Sequence, residues 1–550
     1  MGLPPTSILL LYSAPKARTK EPWMTFLPIG LGYIQAMLKS HGHACKLANL
    51  TNQPKKVIVE YLQEKKPSVV GLSMFTFNRK RCYELAKIIR ETCPKVVILA
   101  GGPHPTHLAS EVFEDCPQLD AIVCGEGEIP MLEIARRMSA GDNWKESPSL
   151  ILRDGTRTHM APPVADLDTL ALPADYSNSL NCGHKGQPTG EALYFDADYF
   201  YDAAQLGYLS TSRGCPSACV FCGTPEFWGS KVRFRSPASV MREMKNLWHE
   251  YGLTYFNLRD DTFTANKSRV MDICSAIASS GIYPLWSCQS RANLIDEDKL
   301  VAMVRAGCEF IQFGLEHGSE RMLGFLDKGV NLKQVYSALS TVRKVGMNLG
   351  IYLITGIQGE TKEDVAKSEA LIKKVLPHNV QISPLAVYPG TRLYSDLIAS
   401  DALTHDFYRK KKDVEVFARS APTKGLDDFT TEALNRLHQT AEKTRVRARY
   451  TPMDFKKQKS FLGWCATTNI LCGEAAEDAG DIAEAVSQYS EIIKMEPQNP
   501  WGWLKRGLLR LHQENFQAAS VDFLEVFKLT PKNNEVDAAI VRQLLDRPEF

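Results

Sequence analysis

The sequence predicts an α/β protein built from two successive βα series and closed by an all-α segment, and three observations predict it. Short apolar runs alternate with amphipathic stretches over residues 7 to about 140. The alternation resumes from Leu206 to Pro389, and an internal repeat occupies the C-terminal end. At 550 residues the chain is too long for one hydrophobic core, and about three to five units of roughly 100–200 residues are expected.

In the first series SILLLY, CKLANL, SVVGLSMF, KVVILAGG and LDAIVCGEG read as five strands buried on both faces, as in a parallel sheet. The helical pattern GLGYIQAMLKSHG between the first two stops at Gly42. This is a doubly wound domain over 1–140, whose ligand belongs outside the carboxyl ends of the strands. Residues 141–205 carry prolines at 162, 163 and 173 and a turn at Asp154-Gly155, and read as a connecting segment with a small hairpin.

The second series, 206–400, has strands LGYLSTS, TYFNLRD, PLWSCQS, EFIQFGLE, LGIYLITG and VQISPLAVY, each followed by a helical pattern. Six βα units suggest a partial (β/α)6 TIM-like barrel, with its chemistry at the carboxyl ends of the strands. Residues 401–470 form a helical connecting region. Over 471–550 a shift of 34 residues lays Gly473 on Gly507, Ile482 on Phe516, Ala485 on Ala519, Tyr489 on Phe523, Ile492 on Val526 and Pro497 on Pro531. Period and pattern resemble the tetratricopeptide repeat (TPR), in which small residues let two helices approach. Two repeats fall short of the three needed for independent stability, so they lean on the segment from about Asp427 to Ile470 or on a partner. Trp501 and Trp503 are expected in the core.

The 65 basic and 63 acidic residues leave a net charge of +2, which gives no electrostatic case for nucleic acid or an anionic membrane. The chain carries no apolar run long enough for a membrane span and no secretory order at MGLPPTSILLLYSAPK, so it is expected to be cytoplasmic. Fourteen cysteines are too sparse for a disulfide framework, and Cys82, Cys93, Cys274 and Cys308 fit buried packing positions. Cys215, Cys219 and Cys222 stand apart: they fall within TSRGCPSACVFCGT, directly after the first strand of the second series. Closely spaced thiolates hold zinc or an iron-sulfur cluster. A closed zinc site needs a fourth ligand, for which Cys182 or His184 in NCGHKG is available; a cubane held by three thiolates leaves one iron open.

The Cys-x-x-x-Cys-x-x-Cys spacing, with Phe221 before the last cysteine, resembles the radical S-adenosylmethionine (SAM) superfamily. That resemblance implies a [4Fe-4S] cluster on Cys215, Cys219 and Cys222, SAM chelated to the open iron, and one-electron cleavage to a 5'-deoxyadenosyl radical. It implies SAM contacts from Phe221, from Asp260 and Asp261 in RDDTF, from Arg291 in SCQSR, from Glu316 in GLEHGSERML, and from Gly356 and Gly359 in ITGIQGET. The plainer readings are a helix cap for the aspartates, an exposed acid partner for Arg291 and a turn for the glycines. A buried Glu316 requires a partner.

In the N-terminal domain no GxGxxG follows LLLYSAPKART, which weakens a dinucleotide reading. LPIGLGYIQAML, GLS, AGGPHPT and CGEGE instead resemble the cobalamin-binding domain of the B12-dependent radical SAM subgroup. This implies cobalamin contacts from Pro28, Gly30, Ser73, Gly101, Gly102, Gly125 and Gly127. The Asp-x-His-x-x-Gly signature is absent, so the resemblance implies no histidine on cobalt, and His104 and His107 are expected as loop residues near the corrin or solvent. The expected function is an oxygen-sensitive enzyme that methylates an unactivated carbon of an organic substrate, fed by an external electron donor, with a protein partner or a second copy possible at the helical segment. A non-methylating B12 radical SAM cyclase or rearrangement enzyme, and a TPR scaffold with an inert metal site, are the alternatives. Tyr388 in YPGT either faces the substrate or packs a turn.

Overall fold

The computed structural model describes residues 6–14, 28–173, 206–251, 253–404, 406–410, 416–417 and 426–529. Cys182, His184 and Pro531 lie outside them. The chain divides into two compact units: one is drawn from segments 1–199, 213–234 and 386–426, the other from 200–212, 235–385 and 427–550.

The first unit contains a six-stranded sheet of β1 (Ser7–Tyr12), β2 (Ala44–Asn49), β3 (Val69–Ser73), β4 (Val97–Gly101), β5 (Ala121–Val123) and β6 (Leu150–Leu152) in the order β2-β1-β3-β4-β5-β6. The five expected strands are parallel. β6 is added antiparallel at the edge, and Ile151 bridges Arg157 to close the expected hairpin. Leu9, Leu11, Val70 and Leu72 bury one face, and Ile8, Leu10, Val69 and Leu99 the other. Each such side chain contributes about 1.5–3 kcal/mol, which is why these strands read as unbroken apolar runs.

In the second unit β7 (Leu206–Leu209), β8 (Tyr255–Leu258), β9 (Leu285–Ser290), β10 (Cys308–Glu316), β11 (Asn348–Thr355) and β12 (Asn379–Pro384) pair in chain order, all parallel, with β7 and β12 at the edges. Helices cross between them. Asn331 and Gln334, and Thr361 and Asp364, form capping boxes that start the helices after β10 and β11.

The C-terminal helices Ala466–Asp478, Ile482–Met495, Pro500–His512 and Phe516–Leu529 stack as successive neighbours. A Cβ on Gly473 would meet the Tyr489 ring at 2.4 Å, and one on Gly507 the Phe523 ring at 2.9 Å, so the repeat places the same glycine-aromatic contact in both helix pairs. The first pair leans on the second sheet's own layer. Helix Ala466–Asp478 packs on helix Glu297–Arg305 and on β10, Arg305 donates to Leu462 O (2.6 Å), and the buried Trp501 donates from Nε1 to Tyr283 O (2.8 Å). Trp503 is half-buried instead of core: its indole caps Pro497 O and Arg506 lies over its ring. Cys82, Cys274 and Cys308 are buried as expected; Cys93, at the end of helix Arg79–Thr92, is only half-buried.

At the start of β10, Glu309 is 2% exposed and accepts from Tyr255 Oη (2.5 Å) and Asn348 Nδ2 (3.1 Å). Burial pushes its carboxyl up to about 7 from 4.5. The folded state therefore holds a proton that the unfolded chain gives up. The contribution of this group to stability is fully present below about pH 4.5, falls by about 3 kcal/mol as the pH rises to about 7, and is lost above. The difference in urea midpoint between wild type and Glu309→Gln, measured from pH 4.5 to 8, should shrink over this window.

Candidate functional site

The thiol loop belongs to the first unit. Gly214, at φ +97°, makes the turn between Arg213 and Cys215, and a Cβ there would lie 2.9 Å from Lys231 O, so no other residue fits without displacing backbone. Cys215 and Cys219 are each 8% exposed and Cys222 is half-buried. Cys222 N donates to Cys219 O (3.1 Å), and helix Thr224–Trp228 follows; Leu393 N donates to Val220 O (2.8 Å), so the chain after β12 ties back onto the loop. Among the described residues no three or more His, Cys, Asp or Glu side chains converge at metal-binding distance. The donor chemistry nevertheless fits an iron-sulfur cluster: three soft thiols share one eight-residue stretch, and Phe221 beside them is half-buried.

Two carboxylates from the loop after β5 reach the same segment. Arg213 pairs with Glu128 (2.5 Å) and Glu126 (3.1 Å), and Arg233 also pairs with Glu126; all four side chains are at most 10% exposed. The Arg213 guanidinium lies 5.3 Å from the Tyr33 ring and 5.0 Å from the Trp228 ring. Although TSRGC and CGEGE are both conspicuous in the sequence, nothing local signals that they meet.

The residues expected at cobalamin gather at the carboxyl ends of β3, β4 and β5 and at the start of helix Ile29–Ser40, which Pro28 caps. Gly102 has φ +117°, and a Cβ there would lie 2.5 Å from Met74 O, so backbone at the end of β4 comes close to backbone at the end of β3. Gly30 and Gly125 face open space, a cradle consistent with a bulky ligand. Gly127 serves packing, its Cβ position lying 2.6 Å from Ile34 Cδ1, and Gly101 has ordinary contacts. Ser73 is buried; its carbonyl accepts from Asn78 Nδ2 (3.2 Å).

His104 departs from expectation. It lies in the short helix Pro103–His107, buried at 2% exposure, within 3.2 Å of the Thr76 hydroxyl and edge-on to Tyr408. Burial, reinforced by Arg79, pushes it down to about 3, so it is neutral. His107 is also lowered by burial, and a Cβ on Gly390 of the YPGT turn would lie 2.6 Å from its ring. Tyr388 in that turn is 41% exposed, and its carbonyl accepts from Thr391.

In the second unit the expected SAM residues stand at the carboxyl ends of adjacent strands. Asp260, after β8, is no helix cap: 1% exposed, it accepts from the backbone N–H groups of Thr211 (2.5 Å) and Ser212 (3.0 Å) and from both hydroxyls, fixing the chain beyond β7. Asp261 is exposed. Glu316, closing β10 with φ +69°, has the partner its burial demands in Lys328 Nζ (2.7 Å), and Arg291 donates to the backbone O of Lys328. Gly356 and Gly359 both have positive φ. Gly356 permits close approach of Thr430, 2.7 Å from its Cβ position, while the Cβ position of Gly359 lies in ordinary contact with Arg321, at 3.9 Å.

Sequence reading missed Glu360 and His317. Glu360 gathers Gly356 N (2.6 Å), Ile357 N (3.1 Å) and the Thr355 hydroxyl, and pairs with His317 Nε2 (3.0 Å), joining the turns after β10 and β11. His317 Nδ1 accepts from Ser319 N, which leaves Nε2 to carry the proton. GET after the glycine turn was the available signal.

Known proteins match the chain in both βα series. Residues 209–372 match the radical SAM superfamily and residues 22–135 the B12 binding domain. An uncharacterized methyltransferase, PH0819, of Pyrococcus horikoshii is 30% identical over 420 residues, 75% of this chain and 86% of that protein. The cytidylyl-2-hydroxyethylphosphonate methyltransferase of Streptomyces wedmorensis is 27% identical over 66% of this chain and 75% of its own. The cobalamin-dependent SAM radical enzyme OxsB, solved with aqua-cobalamin and SAM bound, has the same fold: TM-score 0.62, 15% identity, 98% of this chain and 84% of that one. Three thiols after β7, glycine turns beyond β4 and β5, and a relative matched over most of its length lead to one assignment: the chain belongs to the radical SAM superfamily, among the members that carry a B12 binding domain.

Proposed function

We propose that the protein is a cobalamin-dependent radical SAM methyltransferase acting on an unactivated carbon of an organic substrate. The observation that carries this reading is that one compact unit holds both the thiol loop and the glycine turns of the B12-binding sheet. The methyltransferase names of the two relatives support it. Cys215, Cys219 and Cys222 hold the [4Fe-4S] cluster. Gly30, Ser73, Gly102 and Gly125 border the cobalamin. Phe221, Arg291, Glu316 and Gly359 serve SAM, with Glu316 paired to Lys328 Nζ (2.7 Å). Asp260 acts on SAM indirectly, because its oxygens are occupied by Thr211 and Ser212. When bound, cluster and SAM supply a carbon radical and cobalamin supplies a methyl carrier, chemistry that acid-base groups do not provide. The six parallel strands are read as a partial (β/α)6 barrel, and the repeated helices as a TPR-like extension with a surface for a partner or a second copy.

Anaerobic reconstitution with iron, sulfide and hydroxocobalamin, followed by mass spectrometry of SAM products, tests the reading. Both 5'-deoxyadenosine and S-adenosylhomocysteine are expected. Deoxyadenosine alone favours a cyclase or rearrangement enzyme, and a loaded protein that never consumes SAM is the inert scaffold.

A further inference from the structure

We propose that Arg213 is a positioning residue that locks the thiol loop to the cobalamin-side loop after β5, so that filling either cofactor site strengthens the other. The inference rests on the functional reading above and goes beyond it, since no cofactor contact is claimed for Arg213 itself.

Its position in the chain is the first reason. Arg213 is two residues before Cys215, joined to it by a glycine whose φ of +97° and crowding against Lys231 O admit no other residue. Displacement of the Arg213 backbone is therefore passed directly to Cys215. Its partners come from the other loop. Glu126 directly follows Gly125, Glu126 and Glu128 flank Gly127, and Tyr33, whose ring the guanidinium faces, lies in the helix that starts at Ile29. A cobalamin bordered by Gly30 and Gly125 would restrain the backbone that carries these two acids and the tyrosine.

The second reason is energetic. Arg213 and Arg233 balance Glu126 and Glu128, two charges against two, and Arg213 is 6% and Glu128 3% exposed. A buried ion network of this kind adds little net stability relative to apolar packing; its best-attested use is to fix one register between elements. Arg213 also places a planar, multi-donor group on two carboxylates and between two aromatic faces, a geometry that lysine cannot reproduce. Two loops held in one register by a shared buried group are thermodynamically linked, and the linkage is reciprocal.

The test is a hydroxocobalamin titration, followed by absorbance, on the full chain with and without a reconstituted iron-sulfur cluster. The wild type should bind cobalamin about tenfold more tightly when the cluster is present. In Arg213→Met the ratio should fall to about one, and in Arg213→Lys it should be intermediate. Glu128→Gln should lower it as well. The double variant Arg213→Met/Glu128→Gln separates positioning from stability: no buried charge is left uncompensated, so the unfolding midpoint recovers towards wild type while the ratio stays near one. A ratio that recovers together with the midpoint, or a wild-type ratio of one, overturns the proposal. If Arg213→Met fails to fold, the double variant and Glu128→Gln decide. The electron paramagnetic resonance signal of the reduced cluster supplies a second readout: adding cobalamin should alter it in the wild type and leave it unchanged in the double variant. A wild-type chain that takes up neither cofactor overturns the functional reading itself, whereas one that takes up both independently overturns this inference alone.

Discussion

Replacing any one of Cys215, Cys219 and Cys222 by serine is expected to bring the iron and sulfide content of anaerobically reconstituted protein to background and to abolish 5'-deoxyadenosine formation. The reason is donor count. A cubane held by three protein thiolates has no spare ligand, and a hydroxyl is a harder, far less acidic donor than a thiol. The loss should be all-or-none at each position even though the three sites differ in exposure, because each thiolate occupies its own iron. Cys116→Ala is the control: its thiol is fully buried beneath the first sheet and pushed up to about 11 by burial, so it should leave iron content unchanged. Iron and sulfide analysis with mass spectrometry of the nucleoside product decides the matter. Tetrahedral zinc in the purified wild type, retained after any single cysteine replacement, would remove the cluster assignment.

The second large effect is expected at Lys328. This ammonium, 5% exposed, compensates Glu316, itself 6% exposed and held at φ +69° at the end of β10. Lys328→Met strips a buried carboxylate of its counter-charge and should cost about 3–5 kcal/mol of unfolding free energy. Glu316→Gln keeps a hydrogen-bonding oxygen and should cost less. The double variant should recover part of the loss, since the two groups act as one pair. Chemical denaturation of the four proteins gives the cycle, and equilibrium SAM binding to reconstituted protein gives its functional counterpart: Glu316→Gln should weaken binding by about tenfold, the loss of one charge-assisted hydrogen bond. Additive costs in the cycle would mean that the pair is not coupled.

Much of the fold is legible in the sequence because its signals are local. A strand buried on both faces must be apolar at every position, so SILLLY and the runs after it announce a parallel sheet without any knowledge of its neighbours. The cysteine triad is legible for the same reason, all three donors falling within one turn-rich stretch. The repeat announces itself through Gly473 and Gly507, since only glycine leaves room for Tyr489 and Phe523. What stayed hidden depends on partners far apart in the chain. Asp260 has the look of a helix cap until Thr211 and Ser212 are found on its oxygens. His104 sits among glycines and prolines that signal a surface loop, yet Thr76 and Tyr408 enclose it. Glu126 and Glu128 occupy a loop expected to meet cobalamin, and no periodicity records that an arginine more than eighty residues later lies between them. Local pattern fixes which segments are strands; it does not say which charge neutralises which.

The first unit also carries a consequence for biosynthesis. Its sheet is made from the earliest part of the chain, but Arg79 donates to Tyr408 O (2.7 Å), Arg409 reaches Glu114 and Asp115, and Val220 accepts from Leu393. A ribosome must therefore translate through Arg409 before the first sheet's layer receives these contacts. A cut in the gene between the two βα series would separate this layer from the stretch around Leu393 to Arg409 that completes it.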